Sequence, residues 1–169
     1  MDEEFTAYVA ARGRALWGAA WLLTGDPALA EDLVQTALTK TWPHFERVAA
    51  DGSFEGYVRR TLVTTYLSWR GRRWHGELPS GSGDDVATGL AALNPDADTT
   101  HDVRRAMAQL SPRQRAVVVL RYFGDLSEEQ TARAMGCSVG SVKTHHARAL
   151  ERLRGSGLLD LSEPTEEHR

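Results

Sequence analysis

Residues 126–150 read LSEEQTARAMGCSVGSVKTHHARAL, and they contain the clearest helix-start and helix-end signals of the chain. Ser127 followed by Gln130 is a capping box, the pattern with which a helix begins. Gly136 is typical of the end of a helix, and Ser138 is typical of the start of the next one. The stretch therefore predicts two consecutive helices joined by a short turn at Gly136.

The spacing of small and apolar residues in this stretch predicts a helix-turn-helix. That motif needs a small residue where its helices cross, a glycine in the turn, and a branched apolar residue that holds the second helix to the first. With Glu128 as position 1, Ala132 falls at position 5, Gly136 at 9 and Val142 at 15. An ordinary helical hairpin with a solvated basic face is the alternative. The three matches and both caps favour DNA binding, which many kinds of regulator share.

The second of these helices has a polar and basic outer face. Short polar side chains near its start can enter a major groove, and its cations can meet phosphates and guanine edges. The candidates for contact with duplex DNA are Ser141, Lys143, Thr144, His145 and Arg148. Neighbouring histidines on a helix point about 100° apart, so His145, His146 and the nearby Cys137 do not predict a metal site.

Outward from this motif, the rest of the chain reads as helices. Apolar residues recur at helical spacing, without a sustained alternation that would indicate strands. Two helices precede the motif: one contains Val103, Met107 and Leu110, and the next begins at Ser111-Pro112 and ends at Gly124.

Three further helices are predicted in the N-terminal part. The first extends from Phe5 to Thr24, and Asp26-Pro27 caps the second. Pro43 must interrupt the second helix, because proline lacks the donor N–H. After a loop at residues 51–53, a third helix extends from Phe54 to Arg72. The tryptophans assigned to the core are Trp17, Trp21 and Trp42.

Residues 77–100 differ in composition from both flanks. They are rich in Gly, Ser, Pro, Asp and Ala, which predicts a flexible linker with a reach of roughly 80 Å when fully extended. The prediction is an all-α protein of two small helical domains, the C-terminal one containing the helix-turn-helix. The domains are expected at 1–76 and 101–155, with an acidic tail at 156–169.

The net charge of −3 averages over unlike segments. Residues 55–75 contain five arginines and one glutamate, and residues 101–154 contain ten basic and five acidic side chains. The remaining stretches are acidic: net −4 over residues 1–46, −5 over 77–100 and −3 from Gly155 onward. Two basic segments within an otherwise acidic chain indicate that a polyanion and a protein partner bind different surfaces.

Several classes of protein are disfavoured by the composition. A single cysteine, Cys137, excludes an internal disulfide. Neither an apolar stretch of the roughly 20 residues that span a bilayer nor a basic and apolar leader is present, so we expect a cytoplasmic protein without membrane insertion. The sequence has no P-loop, metal-spaced His/Cys/Glu set or nucleophile motif. It predicts neither an enzyme nor a cofactor.

Two stretches resemble the sigma-70 family of RNA polymerase sigma factors. Residues 26–38, DPALAEDLVQTAL, look like the region-2 helix that docks on core polymerase. Residues 104–154, with LSPRQR at 110–115 and VKT at 142–144, are similar to region 4. Region 2, a short linker and region 4, in that order, are typical of the extracytoplasmic-function group. Residues 57–70, YVRRTLVTTYLSWR, further resemble an actinobacterial subgroup.

The resemblance covers about residues 5–154 and implies a function. Such a protein binds core RNA polymerase and directs promoter-specific transcription initiation by recognising and helping to open promoter DNA. An inhibitory anti-sigma factor is a further expected partner. By position in the motif, Glu31, Asp32 and Gln35 would face the clamp helices of the largest polymerase subunit. Composition alone would make them a solvated helix face.

The same resemblance implies which residues bind each of the two promoter elements. The −35 element would be bound as duplex by the five candidates on the last helix. The −10 element would be bound by Arg59, Arg60, Thr64, Tyr66, Trp69, Arg70, Arg72 and Arg73. Trp69 suits packing as well as stacking. Many relatives have asparagine at the position of Thr64 and aspartate at that of Ser68, so the −10 contacts are expected to differ. The acidic linker would thread the polymerase near nascent RNA or act as a passive tether.

A rival interpretation is a stand-alone helix-turn-helix regulator. Its N-terminal half would be a dimerisation or sensor bundle, and it would bind duplex DNA without polymerase. A pure protein-interaction bundle would leave the helix-turn-helix unexplained.

Overall fold

The structure, a computed structural model, describes residues 2–50, 52, 54–74 and 97–157. Within these ranges the chain is helical and contains no strand, which confirms the all-α prediction. Most of the predicted linker and acidic tail lies outside the described residues.

The N-terminal half is a bundle of three long helices and one short helix. They are α1 (Asp2–Thr24), α2 (Pro27–Thr41), α3 (Phe45–Ala49) and α4 (Phe54–Trp74). α2 begins as predicted, since the Asp26 carboxylate accepts a hydrogen bond from the Leu29 amide at 2.9 Å. Pro43 lies in a 3-10 turn, Trp42–His44, that ends α2. The short α3 after this turn was not predicted.

Aromatic rings close one end of this bundle. Phe5 of α1 makes edge-on contacts with Phe45 and Trp42, with ring centroids 5.4 and 4.4 Å apart. Phe45 in turn packs on Phe54 at 4.8 Å. Trp21 is buried, as predicted. Trp17 and Trp42 are half-buried at the edge of the core.

The C-terminal half contains α5 (Ala97–Ala108), α6 (Pro112–Val118), α7 (Glu128–Met135) and α8 (Val139–Gly155). Ser111 and Ser127 each form a complete capping box, and Ser138 accepts a hydrogen bond from the Ser141 amide. These three helix starts are where the sequence predicted them. α5 begins earlier than predicted, within the last residues of the expected linker.

α6 continues into one π-helical turn, Val119–Phe123, which we call the π-turn. The Gly124 amide donates to the Val119 carbonyl at 3.0 Å, and the Leu126 amide donates to the Leu120 carbonyl at 3.1 Å. A Cβ at Gly124 would lie 2.5 Å from the Leu120 carbonyl oxygen, so only glycine fits there. The turn leaves Phe123 53% exposed.

The predicted helix-turn-helix is present in α7 and α8. Gly136 ends α7 with φ 64° and ψ 37°, a left-handed conformation that glycine adopts without steric cost. Ala132 and Val142 are buried where the two helices meet. The motif is therefore built as its spacing predicted.

The two halves pack against each other. α1 and α4 contact α6, the π-turn and α7, and we call this contact the seam. Among the described residues, the buried apolar side chains of both halves form a single cluster. An apolar cleft of about 390 Å³ lies along the seam, between α1, α4 and the π-turn. The sequence predicted two helical halves but not that they share a core.

The described ranges lack two kinds of feature. None of their helices combines the length and apolarity that a membrane crossing requires. They also hold no group of three His, Cys, Asp or Glu side chains that could bind a metal ion.

Candidate nucleic-acid interface

The outer face of α8 presents the residues that the sequence predicted for duplex DNA. Lys143, Thr144 and Arg148 are exposed there, while Val142 holds the opposite face on α7. The Thr144 hydroxyl donates to the Gly140 carbonyl at 3.0 Å and retains its lone pairs for an incoming donor. This face combines two cations and a hydroxyl on one rigid helix.

The start of α8 is fixed by two serines. The Ser138 hydroxyl accepts from the Ser141 amide at 3.1 Å, and the two hydroxyls are 2.9 Å apart. Ser141 is half-buried, and its side chain is held by the cap. Of the five α8 candidates, Ser141 is the one most engaged in building the helix itself.

Lys143 is joined to the preceding helix. Its ammonium lies 3.6 Å from the Glu128 carboxylate of α7. The lysine side chain is 64% exposed, and an ion pair at such a surface contributes only about 0–1 kcal/mol. Lys143 can therefore exchange this carboxylate for a phosphate at little cost.

His145 is half-buried and lies among cations. Burial lowers the pKa of its imidazole, and the positive charges of Arg113 and Arg148 lower it further. The ring is consequently neutral at neutral pH, since its ordinary pKa is 6.5. A neutral imidazole donates one hydrogen bond and accepts another, which suits contact with a base edge.

His146, which was not among the predicted site residues, contributes to the position of α8. Its Nε2 lies 3.0 Å from the Tyr122 hydroxyl of the π-turn, and the two ring centroids are 5.7 Å apart. His146 follows Val142 by four residues and precedes Leu150 by four. That helical spacing assigns it to the inner face and could have identified it.

A second basic surface follows α4. Arg60, Thr64, Ser68 and Arg72 are exposed at successive intervals of four residues, so they form one stripe along the helix. We call this set the α4 stripe. The Thr64 hydroxyl donates to the Arg60 carbonyl at 2.9 Å. The stripe places two guanidinium groups and two hydroxyls on one open face.

Arg59 does not belong to this stripe. Its guanidinium pairs with the Glu55 carboxylate one turn earlier, and Arg12 of α1 pairs with the same carboxylate at 3.5 Å. Both arginines thus share one acid between α1 and α4. Arg59 is less available to phosphate here than the sequence suggested.

The remaining α4 candidates differ in exposure. Tyr66 is 2% exposed and lies four residues after Leu62, on the buried stripe of α4. Burial raises the pKa of its phenol, and the nearby Arg115 charge partly opposes this. In this arrangement the Tyr66 ring cannot stack on a base. Trp69 and Arg70 are half-buried, and the Arg73 side chain lies outside the described residues.

The three candidates for a protein partner share an exposed face of α2. Glu31, Asp32 and Gln35 are all exposed, and the Gln35 amide donates to the Glu31 carboxylate at 3.4 Å. Ala30 and Leu33 bury the opposite face against α1 and α4. The surface is acidic and therefore suits a basic partner.

Comparison with protein families gives two matches. Residues 8–75 match the family model for sigma-70 region 2, and residues 100–153 match that for sigma-70, region 4. The first match contains the α2 face and the α4 stripe. The second contains the helix-turn-helix.

Two curated relatives are similar over most of the chain. The RNA polymerase sigma-E factor of Streptomyces coelicolor is 38% identical over 156 residues, which cover 89% of this chain and 84% of the relative. The ECF RNA polymerase sigma factor SigL of Mycobacterium tuberculosis is 32% identical over 147 residues, which cover 82% and 80%.

A solved structure is similar in fold. It is the sigma factor RpoE of Bartonella quintana, crystallised in complex with the anti-sigma factor NepR. The TM-score is 0.71 at 25% identity, and the alignment covers 94% of this chain and 99% of the other.

Proposed function

Because the chain belongs to the extracytoplasmic-function (ECF) group of sigma-70 RNA polymerase sigma factors, we propose that each of its three polar surfaces contacts a different part of the initiation machinery. The chain directs promoter-specific transcription by core RNA polymerase. The main support for three separate contacts is that the acidic face of α2 is distinct from the basic faces of α4 and α8. The acidic face suits a basic protein surface, and the basic faces suit the negatively charged backbone of DNA.

The outer face of α8 binds the −35 element as duplex. A recognition helix enters the major groove with the residues near its start, and here those are Ser141, Thr144 and His145. Lys143 contacts phosphate, because its charge is exposed and only weakly paired. Arg148 is long enough to form the paired hydrogen bonds that guanidinium makes with guanine.

The α4 stripe binds the −10 element. Arg60 and Arg72 follow the backbone of the DNA, and Thr64 supplies a hydroxyl between them. Opening of the strands also requires an aromatic surface on which an unstacked base can rest. Trp69 is half-buried beside the stripe and can supply part of its ring. Arg70 extends the basic surface at the end of the helix.

The exposed face of α2 docks on core polymerase. Glu31 and Asp32 meet basic side chains, and Gln35 adds hydrogen bonds. The α2 helix is held rigid by the Asp26 cap and by its buried inner stripe. A rigid acidic ridge can align with a partner helix without a large loss of conformational entropy.

Three further features complete the proposal. The halves 1–76 and 101–155 act on different promoter elements, joined by the segment 77–100. The chain acts in the cytoplasm as a subunit and is not itself an enzyme. An anti-sigma factor inhibits it, as the complex of the Bartonella protein with NepR suggests by analogy.

The stand-alone regulator is not favoured. Its N-terminal half would be a dimerisation or sensor bundle, whereas residues 8–75 match sigma-70 region 2. The two interpretations also differ in their need for polymerase.

Reconstitution with core RNA polymerase tests the proposal. The purified chain is added to core enzyme on promoter templates, and run-off transcripts and their start sites are mapped. We expect defined starts only when the chain and core enzyme are both present, and poor promoter binding by the chain alone. Tight binding to duplex DNA without core enzyme, and no start sites with it, would support the stand-alone regulator instead.

A further inference from the structure

A small pocket with two arginines in its wall lies where α1 ends beside α5 and α6. It has a volume of about 160 Å³. Arg104 of α5, Arg115 of α6 and Thr24 of α1 contribute polar side chains, and Trp21 and Met107 are among the apolar ones. None of the described residues that line it is acidic. We call this site the arginine pocket.

Arg115 is a cation without an anionic partner. Its Nη1 donates to the Leu23 carbonyl at the end of α1 at 3.0 Å. Its Nε and Nη2 donate to the Leu110 and Ala108 carbonyls at 3.2 and 3.3 Å. These bonds use three of the five N–H donors of a guanidinium. No carboxylate of the described part of the chain lies at ion-pair distance from it, so its charge is not neutralised.

The titratable neighbours of Arg115 do not supply the missing negative charge. Burial lowers the pKa of its guanidinium, the Tyr66 phenol partly opposes this, and the positive charge of Arg70 lowers it further. Burial also raises the pKa of the Tyr66 phenol, which is therefore neutral at neutral pH. A charge that is partly buried without a counter-charge is unfavourable. The surroundings of Arg115 thus favour the approach of an anion.

Arg104 supplies a second cation to the same pocket. It is half-buried and makes neither a hydrogen bond nor an ion pair with any described residue. The adjacent Arg105, by contrast, pairs with the Asp102 carboxylate at 2.9 Å. Trp21 lines the pocket too, and its indole N–H is buried without an acceptor among the described residues. The wall therefore offers donors and positive charge but no acid to balance them.

We propose that the arginine pocket binds a small tetrahedral oxyanion, inorganic phosphate, between the guanidinium groups of Arg104 and Arg115. Guanidinium groups match the oxygens of phosphate in charge and in geometry. The oxygens of a tetrahedral ion point in four directions, so one ion can accept from α5 and α6 at once. Drug-sized ligands occupy pockets of roughly 300 Å³ or more, so the smaller arginine pocket suits an ion better than a nucleotide. The site does not rest on the proposed function, since it needs neither polymerase nor promoter.

NMR of the free, full-length chain tests the site directly. Each of the five tryptophans gives its own indole N–H signal, and Trp21→Phe identifies that of Trp21. Sodium phosphate replaces sodium chloride at constant pH and ionic strength. We expect saturable shifts of the Trp21 indole signal and of the Arg115 Nε–H signal, while Trp42, packed on Phe5 near the start of α1, responds little. Absence of a saturable shift at Trp21 and Arg115 would overturn the proposal.

Arg104→Gln and Arg105→Gln are a matched pair of variants. Arg104→Gln removes one cation of the pocket and no contact to a described residue, so the fold should be retained. We expect it to weaken phosphate binding at least tenfold, whereas Arg105→Gln should change it less than twofold. Unchanged phosphate affinity in Arg104→Gln, or equal losses in the two variants, would show that the pocket is not the binding site.

Urea unfolding separates a ligand-binding role of Arg104 from a structural one. In chloride, Arg104→Gln should unfold at the same urea concentration as the unaltered chain or a higher one, because one of two unpaired cations is gone. A ligand that binds only the folded chain stabilises it, and phosphate also stabilises proteins in general by exclusion from their surfaces. The general effect is common to both chains, so phosphate should raise the midpoint of the unaltered chain by more than that of Arg104→Gln. Equal increases in both, or a lower midpoint for Arg104→Gln in chloride, would overturn the proposal whether or not the chain supports run-off transcription.

Discussion

Gly136→Ala tests whether the helix-turn-helix depends on one left-handed residue. The φ of 64° and ψ of 37° at Gly136 lie in a region that costs an L-residue with a Cβ about 1–2 kcal/mol. No atom lies within 4 Å of the position that an added Cβ would take, so steric overlap adds nothing. Alanine also lowers the conformational entropy of the unfolded chain, which stabilises the folded state by about 0.4–1 kcal/mol. The expected net loss of stability is therefore ~1 kcal/mol, or a fall in melting temperature of roughly 2–4 °C for a chain of this size.

Gly140→Ala is the matched control, four residues later. Gly140 lies in the first turn of α8, and the nearest atom to an added Cβ would be the Ser138 hydroxyl oxygen at 3.8 Å. Alanine there should stabilise the chain by roughly 0.5–1 kcal/mol, because glycine is unfavourable within a helix by that amount. The same substitution is thus expected to have opposite signs at two nearby positions. Gly136→Asn should lose less than Gly136→Ala, since asparagine tolerates the left-handed region better.

Urea unfolding followed by two probes measures the effect. Circular dichroism reports helices of both halves, whereas all five tryptophans lie within residues 1–76 and report the N-terminal half. If the seam couples the halves, Gly136→Ala shifts both transitions together. A shift confined to circular dichroism would show that the halves unfold independently. Equal or higher stability of Gly136→Ala, or equal effects at both glycines, would refute the backbone argument.

Four other expectations follow from the described contacts. Arg148→Ala should weaken binding to the preferred −35 sequence by about 1–3 kcal/mol, and equal weakening on every sequence in a binding assay would show that it contacts phosphate alone. Asp32→Arg should weaken holoenzyme assembly by roughly tenfold or more through like-charge contact, with the circular dichroism spectrum unchanged, whereas Glu3→Arg on α1 should assemble normally. The pKa of His145, measured by NMR titration, should lie below 6.5. As the pH falls, the unfolded chain then binds the proton before the folded chain does. The free energy of unfolding is therefore unaffected by His145 above pH 6.5 and decreases as the pH falls below it. Asp26→Ala should cost about 1 kcal/mol in urea unfolding, since it removes the cap of α2.

The helix starts could be predicted because their chemistry is local. Asp26, Ser111 and Ser127 each cap a helix with a side chain that reaches an amide three residues later. Such a contact is complete within four residues and can be read from the sequence. The helix-turn-helix could be predicted for the same reason, since Gly136 and its sequence neighbours define the turn by themselves.

The seam could not be predicted, because its contacts join distant parts of the chain. Nothing near Arg115 indicates that its guanidinium meets Leu23. The sequence therefore predicts a DNA contact for Tyr66, an aromatic residue in a basic helix, although its spacing from Leu62 also fits the core. The basic face of α8 was easier to identify, because an exposed stripe needs no partner in the chain to define it.

The π-turn affects the orientation of the helix-turn-helix that follows it. An extra residue within a helical turn displaces everything after it by about 100° around the helix axis. Removal of one residue from Val119–Phe123 would restore an ordinary α-helix, and the chain would still be able to form each of its other helices. Phe123 would turn away from its exposed position, and the following motif would be rotated relative to α5 and α6. The orientation of α8 is in this sense determined by the length of a single turn that lies outside the helix-turn-helix.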